Sequence, residues 1–158
     1  MRKKICLVCS AGGHLEEIKK IKCLYGEYDY FFISYKDFHT LNLSKKEKFY
    51  FIQNPQRKQG LYNPLNLLIS FLQSFSIIFR EKPDFIISTG AGVAVPVCYA
   101  AKIMGKKVIF IASIACVKKL NLSSKLVYFL ADLFFVQYPC LAKKYKKAIF
   151  GGNLYDFY

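Results

Sequence analysis

Short runs of aromatic and β-branched residues alternate along the chain with longer segments that carry helix start and stop signals. The predicted strands are Lys4–Cys9, Tyr30–Ser34, Phe49–Gln53, Asp84–Ser88, Lys107–Ala112 and Leu133–Gln137. The predicted helices are His14–Tyr25, Asn63 to about Arg80, Val93–Met104 and Ser123 to about Leu130. Strands that alternate with helices pair in parallel and are covered on both faces. The pattern therefore predicts a single α/β domain, residues 1–158, with a Rossmann-like parallel sheet.

The amino-acid composition and net charge indicate which kinds of molecule the protein binds. Of the 158 residues, 54% are hydrophobic, which excludes a disordered polar tail. The chain carries 24 Lys and Arg against 10 Asp and Glu, for a net charge of +14. This charge favours anionic partners, which include nucleic acid, acidic lipid headgroups and diphosphate-bearing substrates.

Six cysteines raise the question of a disulfide or metal site. Cys6 and Cys9 form a C-x-x-C pattern, but they lie in the first predicted strand. Residues three apart on a strand point to opposite faces, so these two cannot share one metal ion. The start of the chain shows no signal-peptide pattern. We therefore expect no metal, and a reducing cytoplasmic location.

Two glycine-rich loops, Ser10–His14 and Ser88–Gly92, follow predicted strands. Ligands of open parallel sheets bind at this carboxyl end of the strands, and backbone N–H groups at a helix N-terminus suit a phosphate. The alternative is that the glycines only permit tight turns. Complete dinucleotide or ATP motifs are missing, so no cofactor is expected. The predicted diphosphate-binding residues are Ser10, Gly12, Gly13, His14, Thr89, Gly90 and Gly92.

His14 is the candidate catalytic residue, because it begins a predicted helix beside the first glycine loop. It could act as a general base or as a diphosphate ligand, and the alternative is a packed or capping histidine. His39 is predicted to lie in a surface loop. The acidic residues form no recognisable pair, and no complete catalytic set is assigned.

The predicted helix over Leu65–Phe79 has its polar residues on one stripe and Leu, Ile and Phe elsewhere. It is too short and too polar on one side to span a bilayer. One interpretation is a helix that lies at a membrane interface with basic residues at its ends. The alternative is a core helix that is buried on most sides. The predicted membrane-facing residues are Leu68, Phe71, Phe75, Arg57, Lys58 and Arg80.

The chain resembles the membrane-recruiting subunit of the two-chain dolichol-diphosphate N-acetylglucosamine transferases and of their bacterial capsule and exopolysaccharide counterparts. The resemblance covers nearly the whole chain and is carried by these stretches: Ser10–His14, Ser88–Gly92 with Pro96, Lys107–Ile111, Ser124–Tyr128 and Ala131–Pro139. The chain is more distantly similar to the N-terminal half of the peptidoglycan lipid N-acetylglucosaminyltransferase, which is a GT-B enzyme.

The resemblance implies a half-site subunit that binds a lipid-diphosphate acceptor and an anionic membrane surface. A separate chain would bind the UDP-sugar donor, and the pair would act in surface polysaccharide biosynthesis, peripherally on the inner face of the plasma membrane. Where the family pattern has Glu-Ser and an Arg three residues later, this chain has Ala112, Ser113 and Cys116. The alternative class is a basic Rossmann-like protein for nucleic acid or a phosphate ligand. The lysines are spread over several elements and form no recognition helix, so no nucleic acid is expected.

Overall fold

The computed structural model describes residues 2–56 and 61–156 and confirms the predicted parallel α/β architecture. Its strands are β1 (Lys4–Cys9), β2 (Asp29–Ser34), β3 (Phe49–Phe51), β4 (Phe85–Gly90), β5 (Lys107–Ile111), β6 (Leu133–Val136) and β7 (Ala148–Phe150). Its helices are α1 (Gly13–Lys20), α2 (Lys22–Tyr25), α3 (Phe38–Ser44), α4 (Pro64–Glu81), α5 (Ala94–Ile103), α6 (Leu122–Tyr128) and α7 (Pro139–Lys144). The strands form one parallel sheet in the order β3-β2-β1-β4-β5-β6-β7.

The strand order reverses direction between β1 and β4. From β1 the chain builds β2 and β3 on one side, crosses through α4, and then builds β4 to β7 on the other side. One apolar cluster packs α1 and α2 against one face of the sheet, and a second cluster packs α4, α5, α6 and α7 against the opposite face. This reversal places the loops after β1 and β4 side by side, where doubly wound sheets bind ligands.

β1 is buried on both faces, as a central parallel strand should be. Cys6 belongs to the cluster beneath α4 and α5, whereas Cys9 belongs to the cluster beneath α1. The prediction that these two thiols point to opposite faces is therefore confirmed. Burial raises the pKa of the Cys9 thiol to about 12, so this group stays protonated and packs as a small apolar side chain.

Several short elements differ from the predictions. The predicted helix over His14–Tyr25 is two helices, α1 and α2, separated at Ile21. The structure also contains α3, α7 and β7, which are too short to show a clear apolar period. His39 is exposed as predicted but lies in α3, which Asp37 and Thr40 begin through a capping box.

At the end of the sheet opposite the glycine loops, Glu81 holds several elements together. Its carboxylate accepts hydrogen bonds from Lys48 Nζ at 2.7 Å, Tyr50 Oη at 2.6 Å and Lys4 Nζ at 3.3 Å. Burial by itself would raise the pKa of Glu81, but these hydrogen bonds lower it to about 2. The cluster joins the end of α4 to β1 and β3.

Candidate functional site

The two glycine loops meet in space at the reversal point of the sheet. Cys9 of β1 pairs with Gly90 of β4, and the Ser10 N–H donates to the Gly90 carbonyl at 3.2 Å. The Thr89 hydroxyl donates to the His14 carbonyl at 2.8 Å. The two loops are 75 residues apart in sequence. The structure therefore brings all seven predicted diphosphate-binding residues to one crevice.

The glycines of the crevice differ in what surrounds them. Gly12 has a φ of 78°, precedes α1, and together with Gly13 faces open space, since a Cβ atom on either would meet no described atom within 4 Å. A Cβ on Gly90 would lie 3.0 Å from the His14 ring, and a Cβ on Gly92 would collide with the Gln56 side chain. Gly12 and Gly13 thus leave room for a ligand, whereas Gly90 and Gly92 leave room for neighbouring side chains.

Thr89 and Ser10 are placed as supports of the loops. Thr89 is fully buried, and its hydroxyl donates to the His14 carbonyl. The Ser10 hydroxyl donates to the Ala11 carbonyl at 3.4 Å. No side chain of the described residues caps α1, whose first N–H groups follow Gly12. These backbone N–H groups are free to donate hydrogen bonds to an anion in the crevice.

His14 is oriented by the neighbouring strand. Its Nδ1 lies 2.7 Å from the Thr89 carbonyl oxygen. A carbonyl oxygen only accepts, so Nδ1 carries the hydrogen and the neutral ring keeps its lone pair on Nε2. The side chain is 19% exposed. The ring therefore has the tautomer and partial access that a general base requires.

A buried carboxylate stands behind His14. Glu17 is 1% exposed, and its Oε2 lies 3.5 Å from His14 Nδ1. Its Oε1 accepts hydrogen bonds from the Ile114 N–H at 2.7 Å, the Ser113 hydroxyl at 3.0 Å and the Gln137 amide at 3.3 Å. Burial would raise the pKa of Glu17, but the nearby His14 ring and the hydrogen bonds from Ile114 and Ser113 outweigh that effect and lower it. Glu17 is therefore ionised at neutral pH.

Sequence reasoning did not single out Glu17. A signal was present, because His14, Glu17, Ile18 and Ile21 follow helical spacing and form the stripe that faces the sheet. A carboxylate on a stripe of buried apolar residues must have partners. Those partners come from the ends of β5 and β6, about 100 residues away in sequence, and no local pattern points to them.

Ala112 and Cys116, which replace the acid and the arginine of the family pattern, are both buried in the apolar cluster beneath α5. The Ser113 side chain points the other way, toward Glu17. The site of the missing ion pair is thus filled by apolar contacts, and the only carboxylate that meets the end of β5 in the described structure is Glu17.

The predicted membrane helix is α4, and its polar stripe divides: Ser70 and Ser74 face inward, whereas Gln73 and Ser76 are exposed. Ser70 and Ser74 are fully buried, and their hydroxyls donate to the Leu67 carbonyl at 2.9 Å and the Ser70 carbonyl at 2.6 Å. These small side chains pack α4 against α5, which is itself rich in small residues. The opposite face exposes six apolar side chains, here named the apolar surface of α4: Leu65, Leu68, Ile69, Leu72, Phe75 and Phe79.

The predicted membrane-facing residues therefore separate into groups. Leu68 and Phe75 lie on the apolar surface, whereas Phe71 is half-buried and packs against the core. Arg80 is exposed and stacks on the Tyr50 ring at 4.9 Å. Arg57 and Lys58 lie outside the described residues. A core helix that is buried on most sides is ruled out by the exposure of this face. Among the described residues, no helix has the length and apolar character needed to cross a bilayer.

The fold and its two-loop crevice place the chain in the class of GT-B N-terminal halves. MurG from Acinetobacter baumannii superposes with a TM-score of 0.78 over 96% of this chain, at 14% sequence identity. UDP-GlcNAc 2-epimerase from Neisseria meningitidis superposes with a TM-score of 0.70, also over 96% of the chain, at 12% identity. The chain spans 45% of the first structure and 47% of the second.

Within that class, the sequence matches one family. The family model described as oligosaccharide biosynthesis protein Alg14 like matches residues 5–154, and the chain belongs to this family. A rat relative is 32% identical over 177 residues, which cover 95% of this chain and 82% of the relative. A human relative is 40% identical over 93 residues, which cover 55% of this chain and 43% of the relative. Both relatives are named UDP-N-acetylglucosamine transferase subunit ALG14, and the resemblance inferred from the sequence is confirmed.

Proposed function

We propose that this chain is the acceptor-binding, membrane-facing subunit of a two-chain glycosyltransferase. The partner chain binds a UDP-sugar donor, and the pair transfers the sugar to a lipid-diphosphate-linked glycan. The support for a subunit is the name of the relatives. The finer setting that we propose is surface polysaccharide synthesis at the inner face of the plasma membrane.

The observation that carries the acceptor role is the crevice formed by the two glycine loops. Open space at Gly12 and Gly13, next to the first N–H groups of α1, suits the diphosphate of the acceptor. His14 stands at the same crevice with its Nε2 lone pair free to take a proton from the acceptor hydroxyl. The proton would convert His14 to an imidazolium, which the ionised Glu17 stabilises at 3.5 Å.

The apolar surface of α4 supports the membrane role. A surface helix of a water-soluble domain normally presents charged side chains to solvent, yet α4 buries Ser70 and Ser74 and presents mainly leucine, isoleucine and phenylalanine side chains on its exposed face. An outward apolar face with basic residues nearby and a net charge of +14 fits an anionic bilayer surface. A nucleic-acid-binding function gives no reason for this face.

The experiment measures transfer of a sugar from UDP-N-acetylglucosamine to a polyprenyl-diphosphate glycan. The purified chain, the donor-binding partner and the mixture of both are compared, and we expect transfer only by the mixture. Gly13→Val places a side chain in the space assigned to the diphosphate, while the backbone of Gly13 has no positive φ that would be strained. In the mixture this variant should raise the acceptor KM and leave the donor KM unchanged.

Two results would overturn the proposal. Turnover by the chain alone would show that it is not a half-site subunit. If Gly13→Val keeps the wild-type acceptor KM and an unchanged melting temperature, the diphosphate does not bind in this crevice.

A further inference from the structure

An open groove runs between α4 and α5. It is lined by Leu67, Leu68 and Phe71 of α4 and by Val95, Pro96 and Tyr99 of α5, and Leu126 of α6 borders it. Its volume is about 430 Å³. The groove is distinct from the crevice of the glycine loops, since the two share no lining residue.

The walls of the groove are apolar. Among the described residues that line it, the only polar side chain is that of Tyr99, and its hydroxyl donates to the Leu126 carbonyl at 3.2 Å. The groove therefore offers a ligand apolar contact and no free hydrogen-bonding side chain. Its ligand must be a hydrocarbon or the hydrocarbon part of a larger molecule.

The groove begins beside the glycine loops. Val95 and Pro96 belong to the first turn of α5, and the Val95 N–H donates to the Gly92 carbonyl at 3.2 Å. Four residues of helix span about 6 Å, so the groove begins roughly one helical turn from the second glycine loop. At its outer rim lies Leu68, which also belongs to the apolar surface of α4. The groove thus lies between the second glycine loop and the apolar surface of α4.

We propose that this groove binds the first isoprene units of the acceptor lipid. The proposal rests on the proposed function and specifies where the lipid of that acceptor lies. In a polyprenyl diphosphate the first isoprene carbon is bonded directly to a phosphate oxygen, so hydrocarbon begins where the anion ends. In a glycerophospholipid, by contrast, the glycerol and its ester carbonyls separate phosphate from hydrocarbon. Those polar groups would meet only apolar walls here, which favours the isoprenoid.

The test measures binding of soluble probes to the purified chain by isothermal titration calorimetry, in the absence of vesicles. Inorganic diphosphate, dimethylallyl diphosphate and farnesyl diphosphate share the anionic group and differ in the length of the isoprenoid chain. Burial of two methylene groups corresponds to about a tenfold gain in affinity. We expect farnesyl diphosphate to bind at least about tenfold more tightly than inorganic diphosphate. A short-chain phosphatidic acid, which has a glycerol spacer, should show no such gain.

Two leucines of α4 form a matched pair of variants. Leu68 is 56% exposed and lines the groove, whereas Leu72 is 58% exposed and does not. Leu68→Asn should remove most of the gain for farnesyl diphosphate and leave the affinity for inorganic diphosphate unchanged. Leu72→Asn should keep the gain. Because both side chains are exposed, neither variant should unfold the protein, and melting temperatures check this.

The possible failures point to different errors. Equal affinities for inorganic and farnesyl diphosphate would overturn the groove proposal and leave the diphosphate site standing. An equal loss in Leu68→Asn and Leu72→Asn, or an equal gain for phosphatidic acid, would show a general apolar surface and likewise overturn it. Absence of binding for all the diphosphates would overturn the proposed acceptor site together with the groove.

Discussion

Replacement of Glu17 by Gln tests whether the buried charge behind His14 serves catalysis. Glutamine has the shape of glutamate, and its carbonyl oxygen can accept the two shorter of the hydrogen bonds that Oε1 now accepts, those from the Ile114 N–H and the Ser113 hydroxyl. The ring of His14 should keep its orientation, because its Nδ1–H donates to the Thr89 carbonyl at 2.7 Å. The variant therefore removes the charge and places an amide NH2 where Oε2 now lies.

The expected magnitude follows from the 3.5 Å distance between Glu17 Oε2 and His14 Nδ1. Two opposite unit charges at that distance attract by about 5 kcal/mol at an effective dielectric constant of about 20, which sets an upper limit of about three and a half decades in rate. Partial exposure of His14 reduces this value. We expect Glu17→Gln to lower turnover of the reconstituted pair by about 10²-fold, within the range of general base catalysis.

The assay is sugar transfer by the reconstituted pair at saturating donor and acceptor. Glu16→Gln is the matched control, since Glu16 is the preceding residue, is exposed, and pairs only with Lys19 at 2.8 Å on the surface among the described contacts. It should leave turnover unchanged. Denaturant unfolding measures the structural cost, which should be about 1–2 kcal/mol as charged hydrogen bonds become neutral.

The reasoning fails if Glu17→Gln is folded and turns over within about threefold of Glu16→Gln, since the charge would then have no part in a step that general base catalysis accelerates far more. His14→Ala completes the comparison. If it too retains turnover, His14 is a packed residue, and the crevice binds the acceptor without supplying a base.

Three further predictions concern the membrane surface, the far end of the sheet and the altered strand end. Leu72→Glu should abolish flotation with anionic liposomes, whereas Phe38→Glu, at a more exposed apolar site away from α4, should not; equal flotation of both would refute the membrane role of α4. Glu81→Gln should cost about 3 kcal/mol of unfolding free energy at neutral pH. Because the pKa of Glu81 in the folded protein is lowered to about 2, the unfolding free energy of the wild type should fall as the pH drops from about 5 toward 2, while that of the variant changes less. Urea titrations at each pH measure both, and an equal pH dependence of the two proteins would refute this prediction. Ala112→Glu should lower the melting temperature sharply, as it buries an unpaired carboxylate, and adding Cys116→Arg should recover part of the loss; a stable single variant would contradict this.

The amino-acid sequence by itself determined the sheet, its parallel direction and the positions of its two glycine loops. These features are local, because a buried parallel strand is a run of apolar residues and a strand-to-helix turn needs glycine. Six of the seven strands were predicted to within a few residues. β7 was missed because three residues that follow a lysine-rich segment carry no period of their own.

Only the tertiary structure decided whether the polar side chains of α1 and α4 point to solvent or to the protein interior. The polar stripe of α4 could have met either solvent or protein, and its Ser70 and Ser74 face inward because small side chains let α4 and α5 approach closely. Glu17 became part of the site only when folding carried Ser113 and Gln137 to it, across 96 and 120 residues of sequence. A buried carboxylate needs donors from several strand ends at once, and only the strand order brings those ends together.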